Sequence, residues 1–127
     1  MKQIQIPTPM IALLAVSFLS AGCSKTSSSA PQPLDPAKLP AAVSQAFDQA
    51  SGQTKEMANN YVSAFQGQDP AAAFLELQKL RAQQNLNSQQ QSVLASAMMT
   101  TFQQLRISAA NGNQSSQSVM HQYLSTR

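Results

Sequence analysis

Residues 67–74 read GQDPAAAF. A carboxylate such as that of Asp69 accepts hydrogen bonds from the free N–H groups of a helix's first turn. Proline suits the next position, because its missing N–H would be unpaired there anyway and its φ is already helical. Gly67 fits the close of a preceding helix. The stretch therefore predicts one helix ending near 67, another starting at Pro70, and a very short link between them. A link that short makes its two helices neighbours packed antiparallel.

Apolar residues on both sides keep helical time. Upstream, Val43, Phe47, Ala50, Thr54, Met57, Tyr61 and Phe65 recur at spacings of three and four, which places them on one helical face. Pro40 fits a first helical turn. Gly52 is a weak point, costing about 1 kcal/mol relative to Ala inside a helix. Downstream, Phe74, Leu77 and Leu80 face a core together with Ala73 and Leu75, and the pattern fades at QQNLN. Asn87 or Ser88 begins a third helix, and Ser88 with Gln91 has capping-box spacing. Its apolar face is Leu94, Met98, Thr101, Phe102 and Leu105, and Gly112 in NGN can close it in the left-handed conformation. Val119, Met120, Tyr123 and Leu124 are compatible with a short fourth helix over 116–125. No strand-like alternation occurs. The expected fold is all-α: a small antiparallel bundle of three helices, about 40–66, 70–84 and 88–110, with that fourth segment.

Expected lengths differ. At about 1.5 Å per residue the three helices would measure roughly 39, 22 and 34 Å. The second covers only the later part of the first, which leaves Val43, Phe47 and Ala50 without an obvious internal partner. Two outcomes are open. That face could be an interaction surface for a protein partner or for self-association, or a bend at Gly52 could fold the early turns onto the rest.

The N-terminal part is of another kind. Lys2 gives a positive start, residues 10–19 (MIALLAVSFL) are continuously apolar, and SAG supplies small residues before Cys23, the one cysteine of the 127-residue chain. Basic, apolar, small is the order of an export signal. The run falls short of the ~20 residues of a membrane span. Residues 24–36, SKTSSSAPQPLDP, are rich in Ser and Pro and read as a tether. The expected organisation is a signal peptide over 1–22, a modified cysteine and tether over 23–36, and a helical domain over 37–127.

These first 23 residues resemble the bacterial lipoproteins, whose signal peptides end in Leu, a small residue, Gly or Ala, then Cys. Ala21, Gly22 and Cys23 match the last three places, while Ser20 stands where Leu is usual and Leu19 lies one place out. The resemblance implies cleavage between Gly22 and Cys23, with a diacylglycerol on the Cys23 sulfur. It further implies an address in the cell envelope. Ser24, where Asp would favour inner-membrane retention, points to the outer membrane, facing the periplasm. An ordinary signal peptidase could also cut after SAG, which would give a secreted soluble protein. One acyl chain binds a membrane only marginally and two anchor it stably, at roughly 0.8 kcal/mol per buried methylene. Lipidation would also account for a lone thiol in an exported chain, which has no disulfide partner.

Composition excludes more than it assigns. Charged residues are only 10% and the net charge is +3, with the bases scattered singly, so no basic stripe for nucleic acid is present. Between Arg81 and Arg106 there is no charge at all, only amide, hydroxyl and apolar residues. Such a surface is soluble and weakly repulsive, and so permissive of docking. Among the five carboxylates, Asp35 falls in the tether, Asp69 is a cap, and Glu76 with Lys79 is an ordinary helix-surface pair. Asp48 and Glu56 could share a face, but both are expected in solvent, where an acid–base pair is not tuned. His121 is the single histidine, short of the three or four ligands of a metal site. Met98 and Met99 read as packing residues. Asn113-Gln114-Ser115 matches a glycosylation acceptor by spacing alone, a pattern common by chance. No catalytic residue, metal or cofactor is expected. The functional expectation is a small membrane-tethered helical module without catalysis. The alternative is a carrier of a small apolar ligand in a groove between helices.

Overall fold

The computed structural model describes residues 30–127. They form five helices: α1 Leu39–Ala46, α2 Gly52–Gln66, α3 Pro70–Arg81, α4 Ser88–Ala110 and α5 Gln114–Ser125. No strand occurs among the described residues. The all-α expectation holds; the three-helix layout does not. The long first helix is two helices, and the C-terminal segment is a full one.

Why the chain breaks after Ala46 follows from what α1 has to bury. A straight helix over 40–66 would carry Val43 and Phe47 past the end of α3 and into solvent. Instead α1 turns back against α2 and α4. Val43 is then 0% and Phe47 1% exposed, in one core with Leu39, Tyr61, Leu77, Leu80 and Leu94, and Ala50 packs half-buried against it. The expected interaction face of Val43, Phe47 and Ala50 is therefore internal, a correction that follows from the break. Residues 47–51 (FDQAS) supply it, since Asp48 and Ser51 hydrogen-bond readily to nearby backbone outside a helix and so favour turns and caps. Phe47 N–H donates to Val43 O, Ala50 N–H to Phe47 O, and Ser51 in extended backbone opens α2. Gly52 does not bend a helix; it begins one. The Lys55 ammonium spans the turn, meeting both the Asp48 carboxylate at 3.2 Å and the Asp48 carbonyl at 2.9 Å.

The α2–α3 and α4–α5 connections share one design. After Gly67, Gln68 stands at φ 57°, its N–H donating to Phe65 O, while Asp69 N–H reaches Ala64 O at 3.0 Å. After Asn111, Gly112 stands at φ 89°, its N–H donating to Ala109 O, while Asn113 N–H reaches Ser108 O at 3.1 Å. Each is a Schellman close, with a single left-handed residue satisfying the orphan carbonyls of the helix end. The next residue then starts a new helix with its side chain: Asp69 accepts from Ala72 N–H and Asn113 from Ser116 N–H. In the α2–α3 turn the glycine sits one place before the left-handed position, which is left to Gln68. A Cβ on Gly67 would stand 3.1 Å from Ser63 O.

Two cores result. The first lies among α1, α2, α3 and α4; the second joins Ala71, Phe74 and Leu105 with Phe102, Val119, Met120 and Tyr123 from α4 and α5. Met98 packs against both. Phe74 and Tyr123 meet edge to face with centroids 5.2 Å apart, a favoured aromatic geometry. Every buried side-chain nitrogen and oxygen among the described residues has a hydrogen-bond partner. Tyr61 Oη pairs with Thr101 Oγ1 at 2.8 Å, and Ser116 Oγ donates to Ser108 Oγ at 2.9 Å. Gln90 serves two helices: its Oε1 accepts from Asn87 N–H, closing a capping box, and its Nε2 donates to Ala46 O at the end of α1. The box is thus Asn87 with Gln90, one place before the expected Ser88 with Gln91. One expected core position points outward instead: Leu75 is 41% exposed; on α5, Leu124 is 57% exposed.

Candidate functional site

Cys23 and Gly22, the expected lipidation and cleavage positions, lie outside the described residues, as does residues 24–29 of the tether. The rest of that tether, 30–36, is described, and its end is not free. Leu34 packs half-buried against the first core, and its carbonyl accepts from Thr100 Oγ1 at 2.7 Å. Asp35 then builds the entry to α1: its Oδ1 accepts from Ala37 N–H, and its carbonyl from Lys38 and Leu39 N–H. This turn precedes α1, whose own N-cap, Lys38, makes no side-chain cap, so Asp35-Pro36 is not the counterpart of Asp69-Pro70 at α3. A leucine and a turn-forming aspartate inside a Ser- and Pro-rich stretch nonetheless pack against and bond to the helical domain.

The reactive groups stay apart. Asp48 is tied to Lys55, whose hydrogen bond, with help from Gln49, holds the carboxyl below its usual range. Glu56 is exposed and is not part of that pair. Glu76 meets Lys79 at 2.7 Å on the surface of α3. His121 is exposed on α5. Among the described residues no three of His, Cys, Asp and Glu gather where they could share a metal ion. Met98 is core, and Met99 is 43% exposed.

What the fold does assemble is an open groove of about 990 Å³ at the end where the two Schellman turns lie. Gln66, Gln68 and Pro70 from the α2–α3 turn form part of its wall, and Asn111 and Asn113 from the α4–α5 turn another. Pro36 and Pro40 come from the start of α1, and Phe65 and Ile107 add apolar surface. None of the lining side chains is charged. Such a mixed wall offers amide donors and acceptors beside ring and aliphatic faces. It holds no general acid, base or nucleophile positioned for chemistry.

The uncharged stretch between Arg81 and Arg106 maps largely to α4. Its outward residues include Gln91, Ser92, Met99 and Gln103. No helix among the described residues is long and apolar enough to cross a membrane. No protein-family model matches the chain, and neither a curated protein nor a solved structure matches it significantly.

Proposed function

We propose that this chain is a membrane-anchored helical lipoprotein of the cell envelope, acting as a non-catalytic interaction or structural module. Lipid on Cys23 supplies the anchor, at the outer membrane, and the helical bundle supplies the contact surface. One observation carries the reading: an apolar run, MIALLAVSFL, leads through small residues to a single cysteine and then to a short linker. Dispersed reactive groups are consistent with a role other than catalysis. The uncharged outer strip of α4 is the surface best suited to a partner, because little desolvation of charge opposes contact there.

An apolar-ligand carrier finds less support. The groove at the turn end is wide, and its wall is as much carboxamide as hydrocarbon, whereas a carrier of apolar cargo needs enclosure by apolar side chains. The anchor is tested by growing producing cells with labelled palmitate. Label should enter the protein, vanish in Cys23→Ala, and be accompanied under globomycin by a precursor retaining residues 1–22. A native protein with an unmodified Cys23 thiol overturns the proposal.

A further inference from the structure

We propose that residues 30–36 are a releasable clip that sets how far the helical domain can move from its anchor. This deepens the lipoprotein reading and rests on it. The clip has two parts: the Leu34 side chain against the first core, and the Thr100 hydroxyl donating to the Leu34 carbonyl at 2.7 Å. Thr100 is itself buried and Leu34 half-buried, so that this hydrogen bond is partly shielded from water. None of the backbone N–H groups of 30–36 bonds to the bundle; beyond the Leu34 contact the strap is held by the Asp35 carbonyl, which accepts from Lys38 and Leu39 N–H, so release as far as Leu39 gives up that contact and this turn but no hydrogen bond between two residues of α1.

The consequence is one of reach. With the clip closed, the chain from Cys23 to Leu34 takes eleven residue steps and can span at most about 36–40 Å. With it open, the first fixed residue is Leu39, at sixteen steps and at most about 53–58 Å. Release therefore adds about half again to the maximum distance between bilayer and bundle. It also moves the point of attachment from the flank of α4 to the start of α1. A partner lying beyond the closed reach is met only by the open form.

Trypsin reads the clip through the Lys38–Leu39 bond, which is cut only when the strap is released and the first turn of α1 opens with it. Lys25 lies before it and Lys38 just behind it. The Lys38–Leu39 bond is guarded because Leu39 is fully buried and Lys38 N–H is held by Asp35 O. The lipidated protein is placed on vesicles of phosphatidylethanolamine and phosphatidylglycerol, and cleavage at each site is followed by mass spectrometry. Cutting after Lys25 should come first, and cutting after Lys38 much later. Thr100→Val and Leu34→Ala should each speed the Lys38 cut roughly threefold to tenfold, the change expected from losing one hydrogen bond or part of one apolar contact in a fast-opening segment. Cleavage after Lys25, Arg81 and Arg106 should keep its rate. The clip is refuted if Lys38 is cut as fast as Lys25 in the unaltered protein, or if both variants accelerate every site together. The same digest weighs the anchor: a peptide ending at Lys25 without acyl mass on Cys23 defeats the membrane reading, while the Lys38 rates still judge the clip.

Discussion

Phe47→Ala separates a buried α1 from an α1 that offers its face to a partner. The ring is 1% exposed and sits in the first core beside Val43, Leu39 and Tyr61. Truncating a buried Phe to Ala costs about 3–5 kcal/mol, through lost transfer energy and the cavity left behind. For a domain of this size each kcal/mol moves the melting temperature by about 4–8 °C, so a fall of at least about 12 °C is expected. A marginal domain has only about 5–15 kcal/mol in total, so the variant should also be partly unfolded at modest urea. The assay is thermal and urea unfolding followed by circular dichroism at 222 nm, with sedimentation of the same samples. Leu124→Ala, at a side chain 57% exposed, is the control and should stay within about 0.5 kcal/mol of the parent. A Phe47→Ala protein that melts within about 4 °C of the parent, yet changes its association state, would show that Phe47 faces outward and that the broken first helix is wrong.

Two further outcomes follow from local geometry. Gln68→Gly should stabilise the domain by about 0.5–1 kcal/mol, since it relieves a side chain held at φ 57°, whereas Gly112→Ala at φ 89° should destabilise it by about 1 kcal/mol or more; paired urea titrations read both, and equal, opposite-signed failures would remove the Schellman assignment. Burial pushes the Tyr61 hydroxyl up to about 12, only partly offset by its bond to Thr101, so the folded state keeps a proton that the unfolded state releases near pH 10. Tyr61 therefore contributes stability fully present below pH 10 and lost as pH rises towards 12, by an order of about 2–3 kcal/mol, and Tyr61→Phe should show a flatter decline over pH 10–12 in otherwise matched melts.

Helical content, the ends of α4 and the start of α3 were readable because each is written in adjacent residues: Asp69-Pro70, the Asn87–Ser88 region and Asn111-Gly112-Asn113. The break between α1 and α2 was not. Val43, Phe47, Ala50 and Thr54 keep their spacing of three and four straight through residues 47–51, so periodicity is blind to a turn that leaves the phase intact. The register of the capping box was undecidable for a related reason. Asn87 with Gln90 and Ser88 with Gln91 have the same separation, and the choice falls to the former because Gln90 also reaches Ala46 O, forty-four residues away. The supposed interaction face was an inference from helix lengths, and it inherited the error of the unbroken helix. Leu34 was invisible as a packing residue because its neighbours are those of a linker, and only the distant Thr100 identifies it.

The three-residue links 67–69 and 111–113, each turning on one left-handed residue, make this a protein of fixed count. An α-helix advances 100° per residue, so one residue added between α2 and α3 would rotate Phe74, Leu77 and Leu80 by more than a quarter turn, away from the positions they fill. The same holds for Val119 and Tyr123 after α4. Segments 47–51 and 82–87 are longer and, apart from the buried Phe47 and the cap Asn87, can absorb a change in length. Substitutions are therefore tolerated mainly at exposed positions, while insertions and deletions are confined to those two stretches and to the ends of the chain.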